Sequence, residues 1–118
     1  MTYVRQLALL AAGFALVTGM VHNHLVKSSP SNGEQLASAP KEVRLWFNER
    51  PEIPFTSVTL MQADSTKIAT IKAVATPDSM VAAIPLPALT QGKYLVNWRT
   101  ASSDGHAIRG TFGFTISP

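Results

Sequence analysis

The stretch YLVNWRTASSDGHAIRGTFGFTIS, residues 94–117, decides the fold of this 118-residue chain. Both ends of the stretch alternate apolar and polar residues with the period of two that a half-buried strand shows. The apolar positions are Tyr94, Val96 and Trp98 in the first part and Phe112, Phe114 and Ile116 in the second. Between them lies a short polar run, residues 102–106, that contains a glycine suited to a tight bend. The stretch therefore predicts two strands, residues 94–101 and 108–117, joined by a polar bend.

Five further segments carry strand signals. They are residues 25–26, 43–47, 58–60, 67–74 and 80–86. Turn residues separate these segments at intervals of roughly eight to twelve residues, and no segment after residue 21 has helical periodicity. We therefore predict an all-β domain, a seven-stranded antiparallel β-sandwich or Greek-key barrel of the Ig-like type.

The composition excludes several classes of function. The formal net charge is only +3 and 14% of residues are charged. Lys and Arg form no run and do not alternate with aromatic residues, so we expect no nucleic-acid partner. The chain has no cysteine, which excludes disulfides, zinc-thiolate sites and thiol catalysis. Its stability must therefore come from an apolar core.

The N-terminus has the pattern of a secretory signal peptide. Arg5 precedes an uninterrupted apolar run, residues 7–17, that is too short for a membrane-spanning helix of about 20 residues. We predict a signal peptide at residues 1–21 and a single domain at residues 22–118. A membrane anchor is the alternative interpretation. Cleavage after Gly19 fits the preference for small residues, whereas cleavage after Val21 makes His22 the first residue.

The histidines and one carboxylate indicate a metal site. The chain has only three histidines. His22 and His24 follow the predicted leader, and His106 lies two residues after Asp104 in the polar bend. A histidine at a free N-terminus can bind a metal through its amine and its ring, and His106 and Asp104 would complete an N₃O set that favours Cu(II). This site requires the first strand to lie beside the bend. The alternative is a frayed terminus and an aspartate that only stabilises a turn.

Three segments resemble the CopC-type periplasmic copper-resistance and copper-binding proteins. They are HNHLVKSSP at residues 22–30, APKEVRLWFNE at residues 39–49, and the spaced pattern of Gly, Tyr, Val, Trp, Asp, Gly, His and Phe at residues 92–114. The resemblance implies a copper-binding β-sandwich that covers nearly all of residues 22–117.

The resemblance also implies which residues hold the metal. The Cu(II) ligands of the family correspond to His22, Asp104 and His106, with one Cu(II) ion per chain. Glu49 matches an acidic residue near the site in some members, and His24 matches a second, non-essential histidine. The leader departs from the family pattern, since family leaders usually end in Ala immediately before the histidine and this chain has Val21 there.

The implied function is that of a periplasmic Cu(II) carrier or buffer in copper homeostasis and resistance, and not of an enzyme. It would exchange copper with an inner-membrane copper-transport protein and have no membrane span after removal of the leader. Met61 and Met80 are separate, so we expect no Cu(I) site. Two alternatives remain, a histidine-brace copper monooxygenase acting on polysaccharides and a metal-free β-sandwich interaction module. Copper titration and turnover on a glycan distinguish them.

Overall fold

A computed structural model describes residues 23–118, so the predicted signal peptide at residues 1–21 and His22 lie outside the described residues. Within the described part the chain forms strands and one short 3-10 helix. The strands are β1 (Leu25–Ser29), β2 (Glu34–Leu36), β3 (Glu42–Phe47), β4 (Ser57–Gln62), β5 (Lys67–Lys72), β6 (Val74–Ala75), β7 (Val81–Pro85), β8 (Gly92–Ala101) and β9 (Ala107–Ile116). The 3-10 helix is Ile53–Phe55.

The strands form two sheets. One has the order β1-β3-β7-β6 and the other the order β2-β9-β8-β4-β5. Apolar residues from both sheets form one core, so the predicted sandwich is confirmed. All pairs are antiparallel except β2 and β9, which run parallel with Leu36 opposite Ile116.

Two of the nine strands in residues 23–118 were not predicted. β2 and β6 contain three and two residues, too few to show a period of two. The predicted strand at residues 67–74 is in fact divided between the sheets. Ala73 is buried, and its amide donates a 2.9 Å hydrogen bond to the carbonyl of Thr56 where the chain crosses from β5 to β6.

The core follows the alternation in the sequence. Along β3, Val43, Leu45 and Phe47 are buried, while the residues between them are half-buried. Phe47 meets Trp98 of the other sheet edge to face, with ring centroids 5.7 Å apart. Burial of each such side chain contributes about 1.5–3 kcal/mol, so the core can stabilise this domain without disulfides.

Gly110 lets Trp98 lie flat on β9. The two residues are directly opposite in the β8–β9 pairing. A Cβ atom at position 110 would lie 2.6 Å from the Trp98 ring, closer than any real contact. A glycine is therefore required wherever this indole packs against the neighbouring strand.

One end of the sandwich, which we call the hairpin end, gathers the segments of the predicted site. The start of β1 pairs with the end of β3, with Leu25 opposite Phe47. The connection from β3 to β4 then crosses to the other sheet. There the amide of Glu52 donates a 3.0 Å hydrogen bond to the carbonyl of Ala101, the last residue of β8. The start of β1 and the bend after β8 consequently lie at the same end.

Buried hydroxyls hold this connection in place. Thr56 and Thr100 are buried and their Oγ1 atoms are 2.7 Å apart, while Thr56 Oγ1 also donates to the carbonyl of Glu52 at 2.7 Å. Both hydroxyls are therefore satisfied, as most buried polar groups in proteins are. No helix within residues 23–118 is long and apolar enough to cross a membrane.

Candidate metal site

The bend between β8 and β9 is a closed, hydrogen-bonded loop. The amide of Ser102 donates to the carbonyl of His106 at 3.1 Å, and the amide of Gly105 donates to the carbonyl of Ser102 at 2.9 Å. Gly105 has a φ of 86°, in the left-handed region that glycine adopts without strain. These bonds hold the side chains of Asp104 and His106 on the same short loop.

Asp104 and His106 form a preorganised pair. Oδ2 of Asp104 lies 2.8 Å from Nδ1 of His106, and Oδ1 accepts a 3.0 Å hydrogen bond from the His106 amide. Ser102 Oγ also donates to Oδ1. When Nδ1 binds a carboxylate in this way, the tautomer and ring orientation are set and Nε2 is the nitrogen presented to a metal.

The pair is exposed, and its carboxylate is held in the charged form. The side chains of His106 and Asp104 are 84% and 62% exposed. The Ser102 hydroxyl is the main cause that lowers the pKa of Asp104 well below its usual range, followed by the His106 amide and the imidazole. A carboxylate that accepts these bonds stays ionised at neutral pH and can attract a cation.

The residues after His22 are hydrogen-bonded to the segment that follows β3. Asn23 is only 7% exposed, and its Oδ1 accepts a 3.2 Å hydrogen bond from the Glu49 amide. The amide of His24 donates to Asn48 Oδ1 at 2.5 Å, and the Asn48 amide donates to the His24 carbonyl at 3.2 Å. The chain is thus fixed immediately after His22, at the hairpin end.

The structure brings some of the predicted residues together and not others. Asp104 and His106 are in contact, whereas His24 lies just before β1 and Glu49 lies just after β3. Among residues 23–118 no three metal-binding side chains cluster. The third predicted ligand, His22, is outside the described residues, so the full ligand set stays a prediction.

Three supporting residues were not identified from the sequence. Ser102 holds Asp104, and Asn23 and Asn48 hold the N-terminal segment. A serine two residues before an aspartate is a common turn signal and could have indicated the first contact. The asparagine contacts join residues 24 to 26 positions apart, and no local pattern predicts such pairs.

A sequence profile of the CopC domain matches residues 25–117. The chain belongs to the CopC family. Copper resistance protein C from Pseudomonas syringae pv. tomato is 34% identical over 118 residues, which cover 92% of this chain and 91% of that protein. Copper resistance protein C from Escherichia coli is 33% identical over 121 residues, with 92% and 94% covered.

Solved CopC-family structures have the same fold. CopC from Methylosinus trichosporium OB3b aligns with a TM-score of 0.76 and 32% identity over 82% of this chain and 95% of that one. PcoC from Escherichia coli, described as methionine-rich, aligns with a TM-score of 0.69 and 29% identity over 82% and 100%. The copper transport protein CutJ from Bacillus subtilis is 31% identical over 101 residues, but this chain spans only 19% of its length.

Proposed function

We propose that this protein binds one Cu(II) ion at the hairpin end and acts as a periplasmic copper carrier or buffer in copper resistance. His22 would bind through its amine and its ring, His106 through Nε2, and Asp104 through a carboxylate oxygen or by orienting His106. The observation that carries the proposal is the Asp104–His106 pair, which is formed at the end where the N-terminal segment is anchored and whose carboxylate has a lowered pKa. Two CopC-family relatives named copper resistance protein C support it.

The donor atoms favour Cu(II) over other ions. Imidazole and amine nitrogens with one carboxylate oxygen suit a tetragonal Cu(II) site, and Cu(II) leads the affinity order of the divalent first-row metals. Soft sulfur ligands are scarce. Met61 lies on β4 with its sulfur 3.8 Å from Nδ2 of Asn97, and Met80 precedes β7. This chain therefore differs from the methionine-rich PcoC, and we propose that it carries Cu(II) alone.

The proposed location and partner follow from the same reasoning. Residues 1–21 would direct export and be removed, which leaves His22 with the free amine that the site requires. The carrier would exchange copper with an inner-membrane copper-transport protein. The similarity to CutJ, a copper transport protein, supports a transport partner.

Copper titration of the mature protein tests the proposal. The secreted chain is first weighed intact, and a mass that begins at His22 is expected; a mass that begins at Met20 contradicts the processing. Cu(II) is then added in competition with a chelator of known affinity, and we expect one tightly held ion per chain. A chain beginning at His22 that leaves all Cu(II) with a weak chelator contradicts copper binding.

A second assay separates a carrier from an enzyme. The copper-loaded protein is incubated with a polysaccharide and either peroxide or a reductant. A carrier releases no oxidised oligosaccharides above the level of free Cu(II). Sustained turnover that depends on His106 contradicts the carrier function.

A further inference from the structure

Three basic residues lie in one row across the strands on the outer face of the five-stranded sheet. Lys72 on β5 lies opposite Ser57 on β4, Ser57 lies opposite Arg99 on β8, and Arg99 lies opposite Arg109 on β9. We call Lys72, Arg99 and Arg109 the basic row. All three residues are exposed. With strands about 4.8 Å apart, the row spans roughly 15 Å.

No carboxylate in residues 23–118 forms an ion pair with the basic row. The ion pairs within residues 23–118 are Arg44 with Glu42 and His106 with Asp104, and neither involves the row. Glu52 shares a hollow with Arg99 but forms no ion pair with it. Directly opposite like charges, such as Arg99 and Arg109, destabilise a sheet. Since no carboxylate of the described residues offsets this repulsion, we expect an anion from outside the chain to bind the basic row.

A hollow of about 430 Å³ adjoins the basic row. Its lining includes Arg99 and Arg109. It also includes a second row of hydroxyl and side-chain amide groups, two residues further along the strands. Those groups bond to one another: Thr59 to Thr70 at 3.2 Å and Thr111 to Asn97 at 2.7 Å. These neutral groups are hydrogen-bonded to one another, so we expect a ligand in the hollow to be held mainly by the charges of Arg99 and Arg109.

The basic row also borders the candidate metal site. Arg99 is two residues from the end of β8, and it lines a second hollow of about 410 Å³ together with Ser102 and Gly105 of the bend. Phe55, which is 65% exposed, lines the same hollow. Arg99, an exposed aromatic ring and the bend that carries His106 thus line one hollow.

We propose that the basic row and Phe55 form the docking surface for an extended acidic segment of the protein that exchanges copper with this chain. Several carboxylates spaced along a peptide match cations spread over roughly 15 Å, whereas one phosphate spans less than half of that. Arg99 and Arg109 line a concave surface, which a peptide enters and a flat bilayer does not. A segment seated there would reach the bend that carries His106. The inference rests on the proposed copper-carrier function.

Binding of a defined acidic peptide tests this docking surface. The probe is hexaglutamate with blocked ends, added at low salt to metal-free, ¹⁵N-labelled protein beginning at His22. We expect the amide signals of the basic row and of Phe55 to shift, and the affinity to fall as salt is added. Hexalysine at the same concentration should shift none of them. No response to hexaglutamate overturns the proposal.

Two matched charge-reversal variants test whether hexaglutamate binds at the basic row. Lys93→Glu changes a residue of the same strand, β8, six positions from Arg99 and about 20 Å away. We expect Arg99→Glu to weaken hexaglutamate binding by at least about tenfold and Lys93→Glu by less than about twofold. Equal losses in the two variants overturn the proposal. Both variants must melt no lower than the unaltered protein, and Arg109→Glu replaces Arg99→Glu if the latter unfolds.

Two further probes and a copper titration distinguish the alternatives. Binding to phosphatidylglycerol vesicles without binding to hexaglutamate overturns the proposal in favour of a lipid surface, and equal shifts with inorganic phosphate overturn it in favour of a small-anion site. Cu(II) binding that Arg99→Glu leaves unchanged supports docking as a separate property, and its loss overturns the proposal. Failure of the unaltered protein to bind Cu(II) overturns the proposed function even if hexaglutamate binds.

Discussion

Oδ2 of Asp104 lies 2.8 Å from Nδ1 of His106. The other carboxylate oxygen of Asp104, Oδ1, accepts hydrogen bonds from the Ser102 hydroxyl and the His106 amide. The imidazole is therefore oriented before any metal arrives. Such orientation lowers the entropy that a metal must remove from its ligands on binding. The two residues should contribute unequally to Cu(II) binding, because only His106 supplies a nitrogen ligand.

The first prediction ranks the residues of the bend. His106→Ala removes a nitrogen ligand, and we expect it to weaken Cu(II) binding by more than about 100-fold, whereas Asp104→Ala should cost about 10- to 100-fold. Ser103→Ala is the matched control, since Ser103 is exposed in the same bend, and it should leave the affinity unchanged. Competition titration with a Cu(II) chelator measures all three. Equal affinities for His106→Ala and Ser103→Ala contradict the ranking.

The second prediction concerns the N-terminal amine. An alanine added before His22 keeps both imidazoles but converts the amine into an amide, and Cu(II) affinity should fall. His24→Ala should have little effect, because the amine and ring of His22 complete the chelate without it. The same titration measures both proteins. Loss of binding in His24→Ala together with full binding in His106→Ala contradicts the assigned ligand set.

The third prediction concerns pH. The hydrogen bond from Ser102 is the main cause that lowers the pKa of Asp104 in the folded protein below its ordinary value of 3.8. The stabilisation that Asp104 provides is therefore present above pH 3.8 and is lost as the pH falls through the folded-state pKa. A carboxyl ¹³C titration should show the Asp104 midpoint below 3.8, and Ser102→Ala should raise it. A midpoint that Ser102→Ala does not move contradicts this assignment.

A consequence follows for copper release. Since Asp104 stays ionised above pH 4, proton competition in that range must act on the amine and imidazole ligands. Cu(II) affinity should fall as the pH is lowered from 8 to 5, and by a similar factor in the Asp104→Ala protein. A pH dependence that disappears in Asp104→Ala contradicts this explanation.

The fourth prediction concerns oxidation state. Met61 is half-buried on β4, and Met80 lies in the turn before β7 of the other sheet, so they offer no joint sulfur site. A Cu(I) chelator should therefore retain its metal when the protein is added under reducing conditions. Transfer of Cu(I) to the protein shows that soft ligands are present after all.

The fifth prediction concerns the contact between Gly110 and Trp98. Gly110→Ala places a methyl group in the space of the indole and should lower the free energy of unfolding by about 1–3 kcal/mol. Thr115→Ala, on the same strand, should change it by less than about 0.5 kcal/mol. Denaturant unfolding followed by tryptophan fluorescence measures both. Equal stability of the two variants contradicts the close packing.

The sequence predicted those parts of the fold that depend on local pattern. The alternation in β3, β8 and β9 identified the buried face of each strand, because side chains alternate along any strand. It could not identify β2, which pairs in parallel with β9 about 80 residues away along the chain, or the change of sheet at Ala73. These depend on contacts between distant segments.

The candidate site divides in the same way. The Asp104–His106 pair is local, so two residues separated by a glycine were enough to predict it. The position of the N-terminal segment depends on Asn23 and Asn48, whose partners are more than 20 positions away, and the sequence contains no signal for these bonds. The basic row could likewise not be predicted from the sequence, because only the strand register aligns Lys72, Arg99 and Arg109.

Electron paramagnetic resonance of the protein beginning at His22, loaded with one equivalent of Cu(II), tests the central claim most directly. We predict a tetragonal Cu(II) signal with couplings to amine and imidazole nitrogens, and the loss of one imidazole coupling in His106→Ala. A spectrum that is the same in His106→Ala, or that matches free Cu(II) in the buffer, would contradict a copper site at the hairpin end.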